Sequence, residues 1–450
     1  MEKQKTIIIL GAGITGLVSA YYLSQKYKVI LIEKEKNIGG MSYSLNYENF
    51  ILDYGPHKIY TQLPGILEEI EHVQSLIRIK KKNSIYLQES YFDFPLSIKQ
   101  VATKMPSKAF SAGLDIVFKS FKKLPEDSYE NFLKNRFGKT LYNLSFRDYA
   151  EKIWKSNPKE LDAELAKRRI AISNIFELIK SVLFKDTEKI SADFFYYASK
   201  GSKQLIDSLA QKIKENQGEI ILNKPIQEIN TDKNKIISVR INGKTIKSDF
   251  VLSTIPLQDL ILLLKPKTTE DIKNAASELR YTDTKIIYFI LNKPRISENN
   301  WIFFPEKNFL FHRISEQKSF SPETCPENKT ALMVETTAEL TKENIELLKK
   351  QLVDLNLFQE QDIEKIFIKQ LKKAYPLYKI GFKENLNKVL DYLDTLENFL
   401  TIGRHGLFNY NNMDQCWDMA KKAAEHITAK GTKERWEELR KEFDNYKIVD

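Results

Sequence analysis

The sequence predicts an α/β fold: a Rossmann-type dinucleotide-binding domain with an inserted second domain of mixed α+β structure. Three observations support this prediction. A β-branched run at residues 6–10 enters a glycine-rich turn, helical spacing follows, and a second apolar run at residues 29–32 ends in an acid. Further strand-like segments occur at residues 219–222 and 250–255, far along the chain. Such alternation of strand and helix is typical of parallel sheets covered by helices.

Length and composition limit the possible classes of protein. The chain has 450 residues, with 42% hydrophobic and 29% charged residues, which is ordinary globular composition. The formal charge of +10 is spread along the chain without aromatic interleaving, so we expect no nucleic-acid partner. Two distant cysteines and five histidines without metal-ligand spacing argue against a disulfide scaffold and a metal site.

One uncharged stretch resembles a membrane segment at first sight. Residues 7–23 carry no charge, but three glycines interrupt them and lysines follow soon after. We therefore expect no transmembrane segment and a cytoplasmic protein.

The glycine turn carries the first functional signal. Gly11, Gly13 and Gly16 have the GxGxxG spacing, with Ile14 and Thr15 between the last two. These glycines permit a tight turn, a close approach of pyrophosphate to the backbone, and close packing of helix on sheet. Glu33 follows 22 positions after Gly11. At that spacing a carboxylate can accept a hydrogen bond from a ribose hydroxyl. The pattern predicts a bound dinucleotide.

The residues after Glu33 favour FAD over NAD. Lys34 follows the acid, and a second glycine turn reads Gly39-Gly40-Met41-Ser42. This acid-x5-Gly-Gly pattern resembles the flavin amine oxidase superfamily, which includes UDP-galactopyranose mutases, protoporphyrinogen oxidases and monoamine oxidases. The resemblance implies a GR2-like flavoprotein with FAD as cofactor.

Two further blocks resemble the mutases and imply residues near the flavin. Gly55-Pro56-His57 would run beside the flavin ring. The resemblance to the wider superfamily implies that Ile226, in a segment that leads to a predicted Asn242-Gly243 hairpin, lies near the adenine. Near the carboxyl end the block implies cofactor contacts by Gly403, Arg404, Asn412, Met413 and Asp414. Asn412 stands where the mutases have an aspartate.

The same resemblance implies substrate-binding residues. Trp154 matches a tryptophan that stacks on uracil, and Arg168 or Arg169 matches an arginine that meets the substrate diphosphate. Tyr410 would reach toward the same diphosphate. Tyr375 or Tyr378 would line the cavity, with a core role on an edge strand as the alternative. The candidate catalytic residues are His57, Arg404 and Tyr410.

The domain organisation expected from these matches is discontinuous. The FAD-binding domain takes residues 1–80, 200–260 and 390–430, and the substrate domain takes residues 81–199 and 261–389. Residues 431–450 form a charged carboxyl-terminal tail, expected as an amphipathic surface helix.

Three functions remain open from the sequence. The first is a UDP-galactopyranose mutase-like enzyme, in which N5 of reduced FAD attacks the anomeric carbon of a nucleotide-activated sugar. The second is an FAD-dependent oxidoreductase of the protoporphyrinogen oxidase or amine oxidase type. The third is a non-enzymatic binding protein like the GDP-dissociation inhibitors. The expected partner is a small molecule, with the reductant or electron acceptor unassigned.

Overall fold

A computed structural model describes residues 4–96, 98–119, 123–169, 193–266 and 268–448. Its strands are β1 (Thr6–Leu10), β2 (Lys28–Ile32), β3 (Ser44–Tyr47), β4 (Phe50–Asp53), β5 (Ile77–Lys80), β6 (Asn83–Leu87), β7 (Ser90–Asp93), β8 (Phe194–Tyr197), β9 (Glu219–Ile221), β10 (Ile226–Asp232), β11 (Lys235–Ile241), β12 (Lys244–Lys247), β13 (Phe250–Ser253), β14 (Leu264–Lys265), β15 (Tyr281–Leu291), β16 (Trp301–Phe303), β17 (Arg313–Glu316), β18 (Thr330–Thr336), β19 (Ile363–Pro376) and β20 (Phe399–Thr401). Its α-helices are α1 (Ile14–Leu23), α2 (Ile66–Val73), α3 (Ile98–Lys104), α4 (Pro106–Lys119), α5 (Tyr129–Leu141), α6 (Arg147–Trp154), α7 (Ala163–Arg169), α8 (Ser202–Glu215), α9 (Leu257–Leu263), α10 (Glu270–Glu278), α11 (Lys342–Asp354), α12 (Phe382–Leu393), α13 (Gly403–Gly406), α14 (Met413–Ala429) and α15 (Lys433–Asp444).

A five-stranded parallel sheet in the order β20-β13-β1-β2-β9 forms one layer. Four of the five residues of β1 are buried, as expected for an isoleucine-rich strand covered on both faces. Helices α1, α8 and α14 share one apolar cluster with this sheet. The prediction of an α/β fold with a Rossmann-type sheet is confirmed.

A second, four-stranded sheet has the strand order β12-β11-β10-β14. The predicted hairpin is present, because Asn242 and Gly243 join β11 to β12 with φ angles of 45° and 74°. Two consecutive positive φ angles are the conformation of a type I′ turn, which suits the twist of a two-residue hairpin.

A seven-stranded sheet in the order β19-β15-β18-β17-β16-β6-β7 forms the largest layer. Alternate residues of β15 enter two different apolar clusters, so both faces of this sheet are covered. On one face, the Tyr288 hydroxyl donates to the Asp53 carbonyl at 2.6 Å. This bond ties the sheet to the end of β4, directly before the Gly55 loop.

The parallel sheet and the seven-stranded sheet draw on different parts of the chain. The parallel strands come from residues 6–32, 219–253 and 399–401, whereas the seven-stranded sheet uses residues 83–93 and 281–376. The boundaries between the FAD-binding domain and the substrate domain stay a prediction from the sequence. In the tail, α15 is amphipathic, and its buried Trp436, Leu439 and Phe443 join the apolar cluster of α14.

Candidate functional site

The first glycine turn joins β1 to α1 and has room on its outer side. Gly11 has a φ of 95°, which favours glycine. A Cβ at Gly16 would lie 1.9 Å from the Gly11 carbonyl oxygen, so helix and strand approach too closely for a side chain. A Cβ at Gly13 would meet no atom within 4 Å. The amino end of α1, which has no side-chain cap, therefore lies beside open space, as the binding of an anion at a helix amino terminus requires.

The second glycine turn packs directly on the first. The Gly39 N–H donates to the Ala12 carbonyl at 2.7 Å, and a Cβ at Gly40 would lie 3.2 Å from Gly13 Cα. The buried Glu33 carboxylate accepts the N–H groups of Ala12 at 2.7 Å and Glu35 at 2.9 Å. An ionised carboxylate has about four acceptor positions, so Glu33 keeps capacity for a ligand hydroxyl.

A third turn, from the carboxyl-terminal part of the chain, reaches the same place. Gly403 has a φ of 82°, and a Cβ there would lie 2.7 Å from Thr15 Oγ1 in α1. Arg404 follows, and its guanidinium donates to the Asn411 carbonyl at 2.6 Å and to the Ala374 carbonyl at 3.3 Å. Glycine turns from both ends of the chain thus converge on α1.

A cavity opens beside these turns and brings together ten of the predicted site residues. They are Met41, Gly55, Pro56, His57, Arg169, Tyr375, Arg404, Tyr410, Asn412 and Met413. Ten further lining residues were not predicted from the sequence: Tyr54, Lys58, Tyr149, Ile153, Thr284, Trp301, His312, Arg313, Glu335 and Ile448. Most of these lie on loops or on strands of the seven-stranded sheet, where no local motif marks them.

The other predicted residues are not among the lining residues of this cavity. Ile14, Thr15 and Ser42 are buried at the glycine turns, Lys34 is exposed, and Ile226 begins β10. Asp414 lies in the first turn of α14 and lines an adjoining cavity with Tyr60 and Gln415. Burial raises the pKa of its carboxyl group to about 6.

Three aromatic rings and one arginine form a group at one end of the cavity. The rings of Tyr375 and Tyr410 stack with centroids 5.1 Å apart. Trp154 is buried behind them, with its ring centroid 5.8 Å from that of Tyr410. The Arg169 guanidinium lies 5.6 Å from the Trp154 ring and 5.5 Å from the Tyr410 ring. Trp154 Nε1 is buried without a hydrogen-bond partner.

The structure distinguishes between the residue pairs that the sequence left open. Arg169 lines the cavity, whereas Arg168 is buried in hydrogen bonds to Glu164, Asn409 and Asp444. Tyr375 lines the cavity as well. The Tyr378 hydroxyl instead donates to the Phe408 carbonyl at 3.1 Å and accepts the Tyr410 N–H at 2.9 Å.

Two histidines and one ion pair also line the cavity and contribute to its electrostatics. The His57 side chain is partly exposed, but desolvation of its imidazole lowers the pKa of the ring, and Nδ1 is buried without a hydrogen-bond partner. Burial also lowers the pKa of His312 well below its ordinary value. Arg313 donates to both oxygens of Glu335, at 2.6 and 2.8 Å. The histidines are therefore neutral near pH 7, and the carboxylate is occupied by its arginine.

Within the described ranges, no three His, Cys, Asp or Glu side chains are grouped so that they could hold a metal ion. Of the helices that the structure describes, none is long and apolar enough to cross a bilayer.

The comparison with protein families decides the family. Residues 14–395 match the model described as flavin containing amine oxidoreductase. The chain belongs to this family. It is therefore a flavoprotein of an enzyme superfamily, and FAD is its cofactor. The open space at Gly13, the uncapped amino end of α1, and the unpartnered His57 Nδ1 at the cavity all fit FAD.

Known relatives of this flavoprotein have different activities. A probable UDP-galactopyranose mutase of Klebsiella pneumoniae is 28% identical over 172 residues, which is 36% of this chain and 44% of the relative. A 4,4'-diapophytoene desaturase of Methylomonas is 26% identical over 291 residues, covering 56% of this chain and 54% of the relative. The matches thus span about half the length of these curated relatives.

Solved structures show the same fold over almost the whole flavoprotein. A crystal structure of reduced UDP-galactopyranose mutase superposes with a TM-score of 0.83 at 21% identity, covering 95% of this chain and 96% of the other. Cyclohexylamine oxidase from Brevibacterium oxydans gives a TM-score of 0.69 at 12% identity, with 95% and 99% covered. At these identities the likeness establishes the fold.

Proposed function

We propose that the protein is a UDP-galactopyranose mutase-like flavoenzyme that acts on a nucleotide-activated sugar. The observation that carries the proposal is the charge of the cavity. Lys58, Arg169, Arg313 and Arg404 line it, and Glu335, which Arg313 binds, is the only carboxylate among its described lining residues. A diphosphate balances such a surplus of cations, and arginine forks suit its oxygens.

The same charge argues against the substrates of other family members. A protonated amine would enter a cavity lined by like charges, which is unfavourable at short range. A long apolar polyene would have to remove these cations from water without supplying an anion. The likeness to reduced UDP-galactopyranose mutase over 95% of this chain supports the proposal at the level of the fold.

In this proposal, the glycine turns at Gly13, Gly40 and Gly403 hold the FAD pyrophosphate, and Glu33 holds a ribose hydroxyl. The flavin ring would lie beside residues 55–57, Arg404 and Met413. Reduced FAD would supply a nucleophilic ring nitrogen for the anomeric carbon of the sugar.

The protein residues supply binding and charge stabilisation rather than proton transfer. Arg169 would bind the diphosphate, and Tyr375 and Tyr410 would flank it. Desolvation lowers the pKa of both His57 and His312, which keeps them neutral near pH 7, and Arg313 holds Glu335. The lining therefore favours departure of an anionic nucleotide diphosphate, which fixed positive groups stabilise.

The test is a screen of sugar nucleotides against the dithionite-reduced holoenzyme, with ring isomers separated by chromatography. We expect ring-size exchange only after reduction. Arg169→Gln should lower kcat/KM about 100-fold, because a fixed charge at the leaving group is lost. Arg280→Gln changes an exposed arginine paired with Glu278 and should leave kcat/KM unchanged. If no sugar nucleotide perturbs the reduced flavin spectrum, the proposal is wrong.

One observation favours an FAD-dependent oxidoreductase as the second candidate. The desaturase of Methylomonas matches 56% of this chain, against 36% for the mutase of Klebsiella. An oxidoreductase would turn over with oxidised FAD and pass electrons to oxygen or a quinone. Peroxide or quinol formed in proportion to product would establish this activity and exclude the mutase.

A further inference from the structure

Residues 444–448, which we call the closing segment, run along two adjoining cavities. Asn445, Tyr446 and Lys447 line the cavity that holds Asp414. Ile448 lines the neighbouring cavity, together with Arg169 and Tyr410. The closing segment belongs to none of the flavin motifs, yet it forms part of the wall of the candidate active site.

Hydrogen bonds from several elements hold the closing segment in place. The Ile448 N–H donates to the Arg168 carbonyl at 2.9 Å, and the Arg168 guanidinium donates to Asp444 at 3.0 Å. Gln415 donates to the Lys447 carbonyl at 2.8 Å, and the Tyr446 hydroxyl donates to Asp418. Arg168 thus binds both ends of the closing segment with one residue.

Two side chains of the closing segment, Tyr446 and Ile448, are packed as part of the core. Ile448 is 4% exposed and Tyr446 is 8% exposed, although both follow a surface helix. Ile448 belongs to the apolar cluster that contains Trp154 and Tyr410. Arg168 is itself buried, and its remaining donors bind Glu164 and Asn409. Arg168 is thus a buried arginine that is hydrogen-bonded to charged and polar partners. Replacing it would leave the charged partners unpaired.

We propose that the closing segment is a specificity element of the active site, in which Ile448 limits the size of the bound ligand and Arg168 is the positioning residue that holds the segment. A smaller residue at position 448 would widen the cavity beside Arg169 and Tyr410, and a larger one would narrow it. The inference rests on the proposed function in the choice of UDP and a sugar nucleotide as probes.

Chemical labelling of a thiol at this position tests the proposal. Both native cysteines, Cys325 and Cys416, are buried, so an Ile448→Cys variant carries one new reactive site. In the FAD-loaded protein we expect slow reaction with a methanethiosulfonate reagent. Adding Arg168→Gln should accelerate it at least tenfold, because the segment is released. Ile380→Cys, at a side chain that is 52% exposed, should react fast whether or not Arg168 is changed.

A second arm uses UDP at saturating concentration. UDP should slow labelling of Ile448→Cys at least fivefold and leave that of Ile380→Cys unchanged. If UDP shifts the flavin spectrum but not the labelling rate, Ile448 does not face the ligand and the inference is wrong. It is also wrong if Arg168→Gln leaves the rate unchanged while FAD stays bound.

Size variants then separate specificity from general damage. Ile448→Trp should raise the KM for the sugar nucleotide more than it lowers kcat. The conservative variant Ile448→Val should keep the wild-type KM. If UDP does not perturb the flavin at all, the proposed function is wrong, and the Arg168→Gln labelling arm alone decides whether the closing segment is held as described.

Discussion

At the residue scale, Gly13 and Gly16 differ in what a methyl group would meet. Gly13 has ordinary φ and ψ angles of −70° and 177°, and a Cβ there points into open space. Gly13→Ala should leave the unfolding free energy of the apoprotein within about 1 kcal/mol of wild type. The added methyl fills the space expected for pyrophosphate, so FAD affinity should fall at least about tenfold.

Gly16→Ala is the matched contrast. Its Cβ would lie 1.9 Å from the Gly11 carbonyl oxygen, so α1 must move away from β1. We expect a loss of about 2–3 kcal/mol in the apoprotein as well as loss of FAD. Urea unfolding of the apoproteins and flavin fluorescence on dilution measure the two effects. Equal FAD retention by Gly13→Ala and wild type would contradict the assignment of this turn to pyrophosphate.

Asp414 gives a prediction about pH, because burial raises the pKa of its carboxyl group to about 6. The unfolded value is about 3.9, so the folded protein holds this proton more tightly than the unfolded chain. The resulting stability is fully present below about pH 4 and is lost as pH rises through about 6. Asp414→Asn removes the charge, so relative to wild type it should gain up to about 3 kcal/mol between pH 4 and 7.

Urea unfolding of the apoproteins at several pH values gives this difference directly. Asp391→Asn, at an exposed position on α12, is the control and should show no such change. A constant difference between Asp414→Asn and wild type across the range would mean that Asp414 has an ordinary pKa in the folded protein.

At the element scale, Lys152 joins α6 to residues 304–311, which lead to the cavity lining. Its Nζ lies within hydrogen-bond distance of the backbone carbonyls of Phe304, Glu306, Phe309 and Phe311, which share its N–H donors. Lys152→Met leaves these acceptors without their donor, which should cost about 3 kcal/mol of stability. Because residues 304–311 precede His312 and Arg313, substrate KM should rise as well.

Exposed Lys155, directly after α6, is the control for this element. Lys155→Met should change neither the urea midpoint nor KM. Lys152→Arg tests the geometry, since the donors of a planar guanidinium point outward in one plane and cannot converge on this carbonyl cluster as those of a lysine amine do. Full stability in Lys152→Met would show that the carbonyls find water instead.

Elements that depend on local signals could be predicted from the sequence. The sequence predicted the β1–α1–β2 unit and the Asn242-Gly243 hairpin, because strand composition and turn residues act over a few positions. The Arg313–Glu335 pair could not be, because it depends on the antiparallel register of β17 and β18. Likewise, Arg168 and Arg169 are about 100° apart on α7, and only packing decides which one faces the cavity.

At the scale of the whole molecule, the candidate site depends on contacts between distant parts of the chain. Gly403 lies against Thr15, Tyr288 binds the Asp53 carbonyl, and Ile448 is held by Arg168. Each contact joins segments more than 200 residues apart in sequence. The cations of the cavity come from similarly distant segments, so their combined field is a property of the folded chain alone.

This field gives a prediction about salt. An anion in the cavity is attracted at short range by Lys58, Arg169, Arg313 and Arg404. Dissolved salt screens this attraction where water reaches the charges, with a Debye length of about 10 Å at 0.1 M. The Kd of the reduced holoenzyme for UDP should therefore rise about three- to tenfold between 50 and 500 mM NaCl. Uridine carries no charge, so its Kd should change less than about twofold over the same range. Calorimetric titration of both ligands separates charge from stacking. Equal salt dependence for the two would mean that the diphosphate does not lie among these cations.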